Sequence, residues 1–387
     1  MDLSYILNQL GEEREQYFNA VAPPIIQTSN FAFDTVEALR EGISDEFEST
    51  LYSRGNNPTL DILRKKLASL DGAEDALVFS SGVAAVTVPV IANVKQGDHV
   101  ICVHKPYSWT NKLFNDLLPR FGVTTTMIDG TRMENFEKAI QSNTKLIFLE
   151  SPNTFTFELQ DIEAVVKLAK SKNILTMIDN SYCSPLYQQP VKMGIDLSMQ
   201  TATKYIGGHS DTVAGVVSGS REMIKKIYVA DFLNIGAIIS PFSAWLLLRS
   251  LRTLELRVER SSESAQKIVS HFENHPKISK MFYPFSKSFS QNDLAKKQMK
   301  KPGGLFSVVL KTNSIEKIES FCNSLKRFLM AVSWGGHESL VFPVCASLKK
   351  KEDYNSQNPE HNLVRFYIGL ENAEVLIEDI EKGLEKV

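Results

Sequence analysis

From about residue 60 onward, the apolar positions along the chain alternate between two rhythms. Leu60, Leu63, Leu67 and Leu70 recur at the spacing of one helical face. An unbroken apolar run follows, Ala76-Leu77-Val78-Phe79, and stops at Ser80-Ser81-Gly82. Similar runs occupy 99–103, 145–149 and 174–178, and a helical stretch at 162–169 separates the last two. The runs are continuously apolar rather than alternating, as in strands covered on both faces. Strands interleaved with helices predict an α/β domain with a mostly parallel central sheet. Sites in such sheets lie at the carboxyl ends of the strands. Asp179 follows one run, and Ser80-Ser81-Gly82 follows another.

The remainder of the chain has a different character. A long helical pattern, rich in Leu and Arg at first, covers 243–272. Beyond Gly303-Gly304 a strand is predicted at 305–310, a helix at 315–325, a strand at 364–368, and a last helix at the C-terminus. This mixture reads as a smaller C-terminal α+β domain. The first fifty-odd residues hold a Pro23-Pro24 break and a short apolar patch, Ile25-Ile26, and read as an arm without its own core. The predicted organisation is an arm at 1–56, an α/β domain at 57–249 and an α+β domain at 250–387.

Composition removes several classes of function. A chain of 387 residues is too long for one small core. Its net charge of −2 favours neither nucleic acid nor an anionic membrane. The cysteines Cys102, Cys183, Cys322 and Cys345 form no C-x-x-C pair, so no metal site and no disulfide framework are expected. The opening residues lack the basic and apolar regions of a signal peptide, and no apolar run reaches membrane-span length. The expectation is a cytoplasmic protein.

Five segments carry candidate chemistry. Lys204 lies in Thr201-Ala202-Thr203-Lys204-Tyr205-Ile206-Gly207-Gly208. Most lysines are solvated, but this one sits between hydroxyls and a Gly-Gly turn, a setting in which burial can lower an amine's pKa. Asp179 ends an apolar run, where a carboxylate is costly unless a cation pairs with it. By itself it reads equally as a helix N-cap. Ser81-Gly82-Val83 joins a strand to a helix, whose first N–H groups can cradle a phosphate. Tyr52-Ser53-Arg54 precedes Gly55-Asn56-Asn57-Pro58, which reads as a surface turn; the guanidinium fork suits a phosphate or carboxylate. Arg365 stands between Val364 and Phe366 as a candidate carboxylate clamp or an edge-strand charge.

Taken together and in this order, the segments resemble the Cys/Met-metabolism family of pyridoxal-phosphate (PLP) enzymes, the cystathionine synthases and lyases. The most specific pieces are Ala202-Thr203-Lys204-Tyr205 with Gly208-His209-Ser210-Asp211, and Tyr52-Ser53-Arg54 with Asn57-Pro58-Thr59. The resemblance implies the aspartate-aminotransferase-like fold, PLP fold type I, with PLP as cofactor. It implies that Lys204 holds PLP as a Schiff base and shuttles protons, that Asp179 faces the pyridine nitrogen, and that Tyr107 stacks on the ring. Ser81, Gly82, Val83, Thr201 and Thr203 fall at phosphate-binding positions. Tyr52 and Arg54 match residues that reach a neighbouring subunit's phosphate. That implies a homo-oligomer, a dimer of dimers with shared active sites, in which the arm contacts the neighbour. Arg365, Ser333, Trp334 and Tyr52 match substrate-binding positions, with Arg365 on the α-carboxylate of an amino acid.

Two departures bear on the reaction. Thr154, in Glu150-Ser151-Pro152-Asn153-Thr154-Phe155, replaces an Asn found in most members, and Trp334 replaces a Leu in Ser333-Trp334-Gly335-Gly336. Both features are similar to cystathionine β-lyases of the enteric bacterial type. The expected activity is therefore β-elimination from cystathionine to homocysteine, pyruvate and ammonia, a step in methionine biosynthesis, with other cysteine S-conjugates as further substrates. The alternatives within the family are a cystathionine or methionine γ-lyase and a cystathionine γ-synthase. A catalytically dead binding protein on the same scaffold would be expected to lack Lys204 or Asp179.

Overall fold

The computed structural model describes residues 1–387. The chain divides into two compact units. One comprises Met1–Ser151, Gln160–Gly207 and Asp211–Thr253; the other comprises Pro152–Leu159, Gly208–Ser210 and Leu254–Val387.

The first unit is built on seven strands: β1 (Asp75–Phe79), β2 (His99–Val103), β3 (Thr124–Ile128), β4 (Thr144–Glu150), β5 (Leu175–Asp179), β6 (Leu197–Gln200) and β7 (Gly215–Gly219). Their order across the sheet is β1-β7-β6-β5-β4-β2-β3. Strand β7 runs antiparallel to both neighbours, and the remaining pairs are parallel. The mostly parallel α/β sheet expected from the apolar runs is present. Alternate residues of one strand feed opposite cores: Val100 and Cys102 of β2 pack with Phe148 and Met177, while Ile101 and Val103 pack with Ile147 and Ile178. Each face is covered by helices, so every position of β2 is buried and the run is continuously apolar.

The helix Pro58–Asp71 starts where Asn57 accepts the N–H of Thr59 and Pro58 occupies the first turn, and it stops at Gly72 in the left-handed conformation. Short helices interrupt the arm, at Leu3–Asn8 and Val36–Ser44. The first is tied down by charge. Lys66, wholly buried, donates to the carbonyls of Ile6 at 3.0 Å and Leu7 at 3.2 Å, and lies 3.1 Å from Glu12. Glu12 also takes Arg14 at 3.0 Å and Arg252 at 3.1 Å, so the buried ammonium and carboxylate are mutually satisfied.

The second unit holds five strands: β8 (Ile278–Phe282), β9 (Leu305–Leu310), β10 (Leu329–Met330), β11 (Leu340–Pro343) and β12 (Leu363–Tyr367). They run in the order β10-β11-β12-β9-β8, antiparallel apart from β10 with β11. The pattern read as one helix over 243–272 is two, Pro241–Leu251 and Leu254–Phe272. Phe366 on β12 centres the core of this unit. Its ring lies 5.2 Å from those of Phe306 and Phe328 and 6.2 Å from that of Phe321.

Candidate active site

Strands β1, β5 and β6 of the first unit end close together, and the motif residues lie at or just beyond those ends. Asp179 is the last residue of β5 rather than the first after it. Its carboxylate accepts the backbone N–H of Ser181 at 2.8 Å. Burial pushes its carboxyl above the usual aspartate range; the Ser181 hydrogen bonds and the positive charge of Lys204 pull the other way. Lys204 thus supplies the nearby cationic charge, on a turn in which its N–H donates to Thr201 O at 3.0 Å and Gly207 N–H donates to Ala202 O at 2.7 Å.

The turn after β1 forms a second element. Ser81 is the N-cap of the helix Gly82–Ile91, and its hydroxyl accepts the Ala84 N–H. Val83 follows in the first turn and is half-buried. Gly82 abuts the end of β6: a Cβ there would fall 2.8 Å from Cγ2 of Thr201 and closer still to its hydroxyl. Only glycine fits this approach. Thr203 is pinned across the turn, its hydroxyl donating to Ala214 O at 3.1 Å and accepting the Ala214 N–H at 3.0 Å.

Tyr107 begins the short helix Ser108–Lys112, and its backbone N–H donates to Glu150 Oε2 at 2.7 Å. Partial burial raises its phenol, as do the nearby charges of Asp179 and Glu150. The structure therefore groups Lys204, Asp179, Tyr107, Gly82 and Thr201 within one unit. It leaves Tyr52 and Arg54 on the exterior, where the guanidinium lies 5.4 Å from the Tyr52 ring centroid. Beneath them Asn56 and Asn57 are buried. Asn56 donates to the carbonyls of Glu46 and Phe47, which holds the exposed pair on a fixed base.

In the second unit Arg365 lies on β12, which is flanked by β11 and β9; it is an interior-strand residue, not an edge charge. Its guanidinium donates to the carbonyl of Ser333 at 3.1 Å. Ser333 is held at φ 77°, and the half-buried Trp334 and the buried Gly335 follow it. Burial pushes the guanidinium down to about 10, with no carboxylate opposing. An arginine so desolvated is completed by an anion.

Two residues absent from the sequence reading shape this geometry. Ser181 bridges the strand ends, since its hydroxyl accepts the Thr201 N–H at 2.7 Å. Its position, a hydroxyl two residues beyond a buried acid, was the available signal. Glu150 fixes Tyr107, and only its place at the end of a strand hinted at that.

These residues fit PLP. An anion at the amino end of the helix Gly82–Ile91 would meet its unpaired backbone N–H groups beside a glycine-only cradle. A buried carboxylate raised by desolvation suits a protonated ring nitrogen. No helix is long and apolar enough to cross a membrane.

Comparison with known proteins agrees with the cofactor chemistry. The family described as Cys/Met metabolism PLP-dependent enzyme matches residues 6–385. An L-methionine gamma-lyase of Fusobacterium nucleatum is 36% identical over 96% of this chain and 95% of its own length. A cystathionine gamma-lyase of Bacillus subtilis is 35% identical over 97% of both chains. The crystal structure of metB from Corynebacterium glutamicum superposes with a TM-score of 0.91 at 34% identity, covering 100% of this chain and 98% of that one. The fold is PLP fold type I, and the chain belongs to the PLP-dependent enzymes of Cys/Met metabolism.

Proposed function

We propose that this enzyme is a carbon–sulfur lyase that eliminates the γ-substituent of a sulfur amino acid, L-methionine or cystathionine. The observation that carries the PLP chemistry is the grouping of Lys204 with the buried Asp179 and the Gly82–Thr201 contact. The γ-position is supported by the two gamma-lyases, each aligned over nearly the whole chain.

PLP, when bound, supplies an electron sink for the charge that develops on the substrate carbons. The protein's residues have separate tasks. Lys204 anchors the cofactor, takes a proton from the substrate Cα and returns protons during elimination. Asp179 keeps a proton on the ring nitrogen. Ser81, Gly82, Val83, Thr201 and Thr203 hold the phosphate, and Tyr107 covers the ring. Arg365 binds the α-carboxylate, with Ser333 and Trp334 beside it. Tyr52 and Arg54, exposed on their fixed base, reach the phosphate and substrate of a neighbouring copy, so that the active enzyme is a homo-oligomer.

A second reading has its own support. Thr154 and Trp334 stand where most family members carry Asn and Leu, and both favour β-elimination from cystathionine. The keto acid separates the two. γ-Elimination of cystathionine gives cysteine, 2-oxobutyrate and ammonia; β-elimination gives homocysteine, pyruvate and ammonia. The purified holoenzyme is expected to release 2-oxobutyrate from cystathionine and from methionine. Pyruvate from cystathionine, with no turnover of methionine, would replace the γ-reading with the β-reading.

A further inference from the structure

Phe155 is the central residue of a three-residue turn closed by Thr156 N–H donating to Thr154 O at 2.9 Å. Its φ is 67°, a conformation that side-chain-bearing residues adopt at a cost. The loop around it is built to hold this shape. Asn153 Oδ1 accepts the N–H of Glu158 at 3.0 Å and the Thr156 hydroxyl at 3.2 Å, and Asn153 N–H donates to Glu158 O at 3.0 Å. Gln291 clamps the end of the loop, exchanging two 2.8 Å hydrogen bonds with the backbone of Leu159.

The strained turn delivers an aromatic ring to a cation. The Arg365 guanidinium carbon lies 5.2 Å from the Phe155 centroid and 5.4 Å from that of Phe342. The two rings stack on each other at 5.9 Å. Phe342 reaches its place as the cross-strand partner of Arg365 on β11. Phe155 has no such backbone reason to be there. One hydrogen bond, to Ser333 O, and two aromatic faces are what this guanidinium has in the chain. An arginine head group resting on aromatic faces keeps its plane and gains a cation–π attraction against its desolvation, while its remaining N–H donors stay available.

We propose that Phe155 is a positioning residue for carboxylate recognition: with Phe342 it forms an aromatic shelf that holds the Arg365 guanidinium ready for the α-carboxylate of the substrate. The proposal rests on the reading of Arg365 as the carboxylate clamp, and the test separates the two.

The test compares holoenzyme binding of L-norleucine with that of n-pentylamine, which lacks the carboxylate, alongside KM and kcat. In Phe155→Leu, norleucine affinity falls and KM rises by about 5- to 30-fold, the scale of a partly desolvated cation–π contact. Pentylamine binding and kcat stay near wild type, and Phe155→Tyr restores norleucine affinity. Unchanged norleucine binding in Phe155→Leu would overturn the proposal. Equal weakening of both probes would also overturn it, because the loop would then be acting only as scaffold. Arg365→Lys is expected to remove most of the preference for norleucine over pentylamine. If that preference survived, the clamp reading itself would fall, and the shelf with it.

Discussion

The backbone N–H of Thr201 donates to the Ser181 hydroxyl at 2.7 Å across a separation of twenty residues. Ser181 also hydrogen-bonds to Asp179, so one side chain ties the buried acid to the segment bearing Thr201, Thr203 and Lys204. The bridge fixes the spacing between two groups proposed to hold opposite ends of one cofactor. Ser181→Ala removes a hydrogen bond that lowers the Asp179 pKa, so that pKa rises further above the ordinary range. The acid limb of the kcat profile should move to higher pH, and PLP affinity should fall roughly 10-fold or more, the worth of one hydrogen bond to a charged group. Ser181→Thr should keep both properties. A pH–rate profile and a PLP titration of the apoenzyme check this.

Asp71 ends the helix Pro58–Asp71, fully buried, and accepts Gln200 Nε2 at 2.6 Å. Gln200 directly precedes Thr201. Burial pushes this carboxyl up to about 7. In the unfolded chain it titrates near 4, so over the interval between the two values the native state binds the extra proton. Stability from this group is therefore fully present below about pH 4 and is lost as pH rises through about 7. Asp71→Asn keeps the acceptor and removes the titration. The difference in unfolding free energy between variant and wild type should grow in the variant's favour across that window, by up to roughly 4 kcal/mol. Denaturant titrations at a series of pH values measure it.

Phe366 is surrounded by three other phenylalanines and is wholly buried. Phe366→Ala should destabilise the second unit by about 3–5 kcal/mol, combining lost transfer energy with an unfilled cavity. Phe366→Leu should cost less. Limited proteolysis should cut first between Leu254 and Val387, while the spectrum of bound PLP persists longer than the second unit's structure.

The sequence disclosed what burial on both faces makes uniform and what chemistry makes local. The strands at 99–103 and 145–149 stand out because helices cover them on both sides. β3 does not, because Thr124-Thr125-Thr126 lies at the sheet edge and stays partly exposed. β6 and β7 are short and interrupted by Ser, Gln and Gly, so their apolar signal is broken. The helix over 243–272 reads as one because its break at Arg252-Thr253 carries neither Pro nor Gly. In the candidate site, Lys204, Asp179 and Gly82 lie in compact motifs whose residue types suit a phosphorylated, protonated ring. The Ser181 bridge and the Phe155 shelf join residues far apart in the chain, and nothing in either residue's neighbours announces its partner. Thr154 and Trp334 point to β-elimination, whereas two aligned relatives are gamma-lyases, so these two positions and the whole-chain likeness point to different reactions.

Everything proposed for this site depends on Lys204 carrying the cofactor. Borohydride reduction of the holoenzyme, followed by peptide mapping, tests it without relying on turnover. A single stable pyridoxyl label is expected on the peptide containing Thr203-Lys204-Tyr205, and no label in Lys204→Ala. A label on a different lysine in the wild-type enzyme, or one that persists in Lys204→Ala, would contradict it.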